Sequence, residues 1–279
     1  MTPNGALLEL RVSVDYPRKP NVLRDVSLDI RPGEIFGLVG ESGSGKSTVA
    51  MAVLGLLKYQ GATVKGRILF RGRDLSQRKD SELRRMRGRE IGLTPQSPMS
   101  ALNPMLSIEA QLWEAWRAHS SSGRDEFAGR ARQLLSAVRL PEDIEFLRRK
   151  PGQLSVGQAQ RVLIAMAMLH QPALLIADEP TSALDLISRS SCIQLLRQLN
   201  EQTGMAILFI THDLTAVAAI CDRAAILHDG EVIESGLTRE VFEHPRHPHA
   251  KSLVGTMPVA CLPNSPANST PAPAGTRSR

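Results

Sequence analysis

The chain has 279 residues, 42% hydrophobic and 22% charged, with a formal net charge of +6. That length suits one large domain, or one and a half, and supplies a substantial core. No apolar run approaches the roughly 18 residues of a membrane span. Three well-separated cysteines, Cys192, Cys221 and Cys261, give no disulfide framework and no Cys-x-x-Cys site, so a reducing cytosol is the expected compartment.

Met1 to Gly5 shows no basic segment followed by an apolar one, and no secretion signal is expected. Residues 6–16 alternate like a strand with one wet face, and Val26 to Ile30 repeats that pattern. Pro32-Gly33 turns the chain into a third strand, Glu34 to Val39. Then comes Gly40-Glu41-Ser42-Gly43-Ser44-Gly45-Lys46-Ser47, followed by a helical run from Thr48 to Leu54. Strand, G-x-x-x-x-G-K-S and helix, in that order, make a phosphate-binding loop. Its glycines let backbone N–H groups curl around phosphates, and the helix N-terminus adds partial positive charge. Lys46 reaches the β- and γ-phosphates, and the Ser47 hydroxyl ligates Mg²⁺.

Further along, Arg67 to Phe70 reads as a short strand, and much of the positive charge falls between Lys65 and Arg89. A solvated face explains that run; a nucleic-acid or lipid-headgroup patch is the alternative. Few aromatics interleave it, which weakens single-strand binding by stacking. Residues 105–150 are mainly helical, with a loop at Ser120 to Gly123, and Val162 to Leu169 reads as a buried helix. Ala173 to Ala177 and Ala206 to Ile210 suit buried parallel strands, with a helix from Cys192 to Gln202 between them. Asp229-Gly230 predicts a hairpin turn. Three histidines, His244, His247 and His249, fall within six residues, but Pro245 and Pro248 break any regular ligand face, and an ordinary loop is expected. From Pro258 the chain is rich in Pro, Ser, Ala and Asn, and residues 258–279 are expected to be a disordered tail.

The strand ending at Ala177 delivers two adjacent carboxylates, Asp178 and Glu179. Such a pair can divide nucleotide hydrolysis: Asp178 holds Mg²⁺, directly or through water, and Glu179 polarises the attacking water.

Taken together, Gly40 to Ser47, Gln96, Leu154-Ser155-Val156-Gly157-Gln158, Asp178-Glu179, Ser182-Ala183-Leu184-Asp185 and His212 resemble the ordered motifs of ATP-binding cassette (ABC) transporter ATPase subunits. The resemblance covers about residues 6–255 and implies an α/β fold, a P-loop NTPase (RecA-like) core with an antiparallel β subdomain and an inserted helical subdomain. The cassette would span 1–257 and the insertion about 97–160. It implies ATP and Mg²⁺ as ligands. Tyr16 would stack on adenine. Gly40, Ser42, Gly43, Ser44, Gly45, Lys46, Ser47 and Thr48 would hold the phosphates, and Ser47, Gln96 and Asp178 the metal. Glu179 and His212 would act on the γ-phosphate, with Gln96 as its sensor. Ser155, Gly157 and Gln158 would face the γ-phosphate held by a partner in a head-to-tail dimer, and Asp185 would cross that interface.

Val156 departs from the family's usual Leu-Ser-Gly-Gly-Gln. A β-branched residue adopts positive φ poorly and adds bulk near the phosphate, so a weakened clamp across the dimer is expected. Gln96-Ser97-Pro98 to Pro104 and Phe242 to Pro248 resemble the bacterial peptide and nickel importer group, although His249-Ala250 replaces the commoner Tyr-Thr. That resemblance implies integral membrane permease subunits, a second ATPase subunit of the same or a homologous kind, an indirect link to an extracytoplasmic solute-binding protein, and a peripheral place on the cytoplasmic face of the inner membrane. The rival readings are a soluble ATPase of this superfamily acting on nucleic acid and a weakly catalytic regulatory partner.

Overall fold

The computed structural model describes residues 5–257; the expected tail and Cys261 lie outside them. The chain opens with β1 (Leu8–Tyr16) and β2 (Lys19–Ile30), then β3 (Ile35–Val39), the phosphate loop and α1 (Lys46–Val53). β4 (Thr63–Phe70), β5 (Arg73–Asp74), α2 (Asp80–Met86) and β6 (Ile91–Thr94) follow. Five helices come next: α3 (Pro98–Ala101), α4 (Ile108–Arg117), α5 (Arg124–Ala137), α6 (Ile144–Arg148) and α7 (Val156–Ala167). The chain then runs through β7 (Leu174–Asp178), α8 (Leu186–Thr203), β8 (Ala206–Thr211), α9 (Leu214–Ile220), β9 (Arg223–His228), β10 (Glu231–Leu237), α10 (Thr238–Glu243) and α11 (Pro248–Val254).

Two sheets result. An antiparallel sheet has the order β2-β1-β4-β5, and a six-stranded sheet has the order β10-β9-β3-β8-β7-β6. In the second, β6, β7, β8, β3 and β9 run parallel and only β10 is antiparallel. Alternate residues of its strands enter two different cores. Ile35, Leu175, Ile207, Phe209 and Ile226 face the helices. Phe36, Leu38, Ile176, Leu208 and Leu227 face α1 and the antiparallel sheet. A sheet covered on both faces needs apolar residues throughout, which is why β3, β7 and β8 read as unbroken apolar runs. The sheet and helical architecture is the mixed α/β cassette expected.

Some boundaries differ from expectation. The helix predicted from Cys192 starts at Leu186, because Asp185 caps it: its carboxylate accepts from the N–H groups of Ile187 and Ser188. The histidine stretch is a loop only to His247; Pro248 and His249 open α11, with Pro248 in its first turn, where a missing N–H costs nothing. At Asp229 and Gly230, φ is 45° and 78°, the two left-handed residues of a tight hairpin turn. Cys192 and Cys221 are both buried and free. Several cations of the basic run are paired: Arg67 with Asp74, Arg78 with Glu82, and Arg84 and Arg87 with Asp80. Pairing of this kind fits a solvated face.

Arg223, at the start of β9, ties the two sheets together. Its guanidinium donates to both Asp29 carboxylate oxygens, each at 2.9 Å, and to Glu34 Oε1 at 3.4 Å. Burial holds the Glu34 carboxyl above its usual range, opposed by a backbone hydrogen bond from Arg31 and by the Arg223 charge. Replacing Arg223 with methionine leaves that buried carboxyl without its cation. The expected loss is about 2–3 kcal/mol of unfolding free energy, measured by urea denaturation.

Candidate nucleotide site

The loop Gly40 to Gly45 leaves the C-terminal end of β3, where open parallel sheets place their ligands. A Cβ on Gly40 would collide with the carbonyl oxygen of Leu227, and Gly45 caps α1 with φ 108°. Neither place admits a larger residue without displacing backbone. The first N–H groups of α1 have no acceptor inside the helix and remain available to an anion.

Lys46 folds back over the loop, donating to the carbonyl oxygens of Gly40 and Glu41, both at 2.8 Å. An ammonium has three donors, so one remains for a ligand. Burial pulls the Lys46 pKa down, while Glu179, Asp178 and Glu41 act to keep it charged. Ser47 Oγ donates to Asp178 Oδ1 at 3.2 Å. Asp178, at the end of β7, has its carboxyl pushed up by burial and then by the neighbouring Glu179 charge.

Glu179 has φ 50°, in the left-handed region that a glutamate seldom enters. Its N–H donates to Ile210 O at 2.8 Å, which holds the turn against β8. The twist brings its side chain, 9% exposed, to His212: Glu179 Oε1 lies 2.9 Å from His212 Nδ1. Thr211 Oγ1 donates to Glu179 Oε2 at 3.4 Å. His212 itself is 61% exposed.

Tyr16, the loop from Gly40 to Thr48 (except the buried Ser44), Gln96, Glu179 and His212 line one open cavity of about 820 Å³. Residues that sequence reasoning misses, Arg18, Lys19, Val22 and Leu253, line it too. The two cations follow Tyr16 after a single proline, Pro17, a usable signal; Leu253, on α11, carries none. Ser155, Gly157 and Gln158 line a different cavity of about 240 Å³, which shares no residue with the first. There, Ser155 caps α7: its Oγ accepts from Gln158 N at 3.2 Å, and Gln158 Oε1 accepts from Ser155 N at 3.0 Å. Asp185 stays on its own helix cap and enters neither lining.

Val156 corrects one expectation. It is the first residue of α7, is 38% exposed and is absent from the positive-φ residues. No backbone strain opposes a valine there; only its bulk remains.

The sequence profile of the family described as ABC transporter matches residues 23–182. The chain belongs to the ABC transporter family. It is 41% identical over 244 residues to the "Glutathione import ATP-binding protein GsiA" of Salmonella paratyphi A, covering 85% of this chain but 39% of that one. It thus spans well under half the length of the glutathione relatives. It is 39% identical to the "Dipeptide transport ATP-binding protein DppD" of Bacillus subtilis, covering 87% of this chain and 73% of that one. Two solved cassettes share the fold. The cbiO1 structure from Clostridium perfringens, described as part of the ABC transporter complex cbiONQ, has TM-score 0.74 and 28% identity, covering 86% of this chain and 92% of its own. The MJ0796 cassette, described as a dimer in a post-hydrolysis state bound to ADP and Pi, has TM-score 0.72 and 30% identity, covering 83% and 98%.

ABC cassettes take ATP with Mg²⁺, and the residues present fit both. Lys46, in the cavity lining, keeps one donor free for a phosphate oxygen, whereas the buried Ser44 Oγ does not line that cavity. Ser47 and Asp178, already in contact, offer two hard oxygens of the kind Mg²⁺ selects.

Proposed function

We propose that this chain is the ATP-hydrolysing subunit of a bacterial importer, with peptides as the solute class. The carrying observation is the convergence on one cavity of a phosphate loop, Glu179 and His212, with the buried Asp178 hydrogen-bonded to the loop's Ser47. Lys46 and the α1 N–H groups hold the triphosphate. Ser47 and Asp178 hold Mg²⁺, with Gln96 at the cavity wall, and the metal neutralises developing phosphoryl charge. Tyr16 offers a ring to the base. Glu179 Oε accepts a proton from the water that attacks the γ-phosphorus; ADP and inorganic phosphate leave. His212, hydrogen-bonded to Glu179, positions that carboxylate and contacts the γ-phosphoryl oxygens.

The separation of the two cavities supports a head-to-tail dimer. Ser155, Gly157 and Gln158 open on a cavity separate from the one Lys46 lines, so a second copy or a sister subunit would be what brings them to this chain's γ-phosphate. No described helix is long and apolar enough to cross a membrane. Separate permease subunits would therefore carry the solute path, with the α3–α7 insertion after Gln96 as the docking element and an extracytoplasmic binding protein acting through them. The subunit would work at the cytoplasmic face of the inner membrane. The names of both relatives favour peptides over nickel. Magnesium-dependent ATP hydrolysis by the chain, assembled with its permeases in vesicles, tests the reading; no hydrolysis above background would overturn it.

Val156 then lies where the partner's γ-phosphate would arrive. Val156→Gly is expected to raise turnover of the assembled complex severalfold and to tighten ATP retention, at a helix cost under about 1 kcal/mol. Steady-state kinetics and nucleotide binding on the same preparation decide it; unchanged values would mean the valine does not hinder the clamp.

A further inference from the structure

The C-terminal helix brings a second set of donors to the rim of the nucleotide cavity. His249 Nε2, on α11, lies 3.6 Å from Glu41 Oε1 in the phosphate loop. That exceeds a hydrogen bond. His228, at the end of β9, stacks on His249 with ring centroids 3.6 Å apart. One ligand atom from each of Glu41, His228 and His249 lies within 4.8 Å of the others. Among the described residues no other group of three such side chains meets that spacing. His244 and His247 take no part, so the histidine-rich stretch is not itself the site.

Two imidazole nitrogens and one carboxylate oxygen suit an imidazole-preferring divalent cation of the zinc kind, and not Mg²⁺. Around Zn²⁺, with bonds near 2.0–2.1 Å, neighbouring ligand atoms stand about 3.3 Å apart. Reaching that value takes a side-chain rotation that turns the two stacked rings out of parallel and brings the exposed Glu41 carboxylate in. A water can fill a fourth position. We propose that Glu41, His228 and His249 form a zinc-type cation site that ties α11 to the phosphate loop.

The link reaches the nucleotide. His249 and Leu253 are four residues apart on α11 and share one face. Leu253 and Glu41 both line the large cavity. A cation bridging Glu41 and His249 therefore fixes an apolar wall of that cavity against its phosphate loop.

Zn²⁺ alone is titrated into the full chain without nucleotide, against a chromogenic chelator. Wild type is expected to take up one equivalent that His249→Tyr and His228→Gln each bind at least about tenfold more weakly. His244→Asn, in the same stretch, should keep it. Zn²⁺ should also slow amide hydrogen exchange across residues 248–254 in wild type and not in His249→Tyr. Equal uptake by wild type and both variants, loss in His244→Asn, or exchange indifferent to Zn²⁺ would overturn the site. Matching far-UV circular dichroism shows that a variant is folded, and His228→Gln decides the matter where His249→Tyr is not. The titration contains no ATP, so its failure leaves the hydrolytic reading untouched.

Discussion

Glu179→Gln is expected to lower ATP turnover about a thousandfold while leaving the nucleotide bound. The amide keeps the shape of the side chain and can still hydrogen-bond His212 and Thr211, the two groups that hold the carboxylate now. What it loses is basicity, and general-base contributions run at about 10²–10⁴. The split between binding and chemistry is the informative part. A nucleotide trapped by the variant, seen as slow release of labelled ATP, with turnover near background, assigns the proton transfer to Glu179. Equal hydrolysis by wild type and variant would remove it from that role and favour the regulatory-partner reading.

Lys46→Met should fail differently, losing binding as well as turnover. The ammonium has one donor left after bonding two loop carbonyls, and the Glu179 and Asp178 charges act to keep it protonated. Methionine fills the space without the charge. Losing a charge-assisted contact to a phosphate, and exposing that phosphate to two uncompensated carboxylates, is worth about 3 kcal/mol, or roughly a hundredfold in affinity. Equilibrium binding of a fluorescent ATP analogue measures it. Retained affinity with lost turnover would restrict Lys46 to the transition state.

These contrasts depend on residues that were unequally visible in the sequence. The phosphate loop, the parallel strands and the hairpin at Asp229-Gly230 each carry a local signature: a fixed glycine spacing, an unbroken apolar run, a turn pair that demands left-handed backbone. Local signatures survive without knowledge of the fold. β6 and α9 carry none of comparable strength. Ile91–Thr94 is four residues beside a charged stretch, and only pairing with β7 makes it a strand. In the site, Glu179 was legible as a carboxylate but its contact with His212 was not, because it depends on how β7 and β8 end side by side. Leu253 and His249 were the least accessible. They reach the cavity rim only because α11 packs back across some two hundred residues of chain, and periodicity does not report such a return.

The left-handed backbone at residue 179 sets heat tolerance and function at odds at a single codon. Glycine or asparagine would take that conformation at lower cost, by up to about 1–2 kcal/mol per residue for the strain relieved. Either would remove the carboxylate proposed to take the water's proton. Under selection for thermal endurance alone this position would favour glycine or asparagine, so the strain at Glu179 is a cost that the proposed hydrolysis would require.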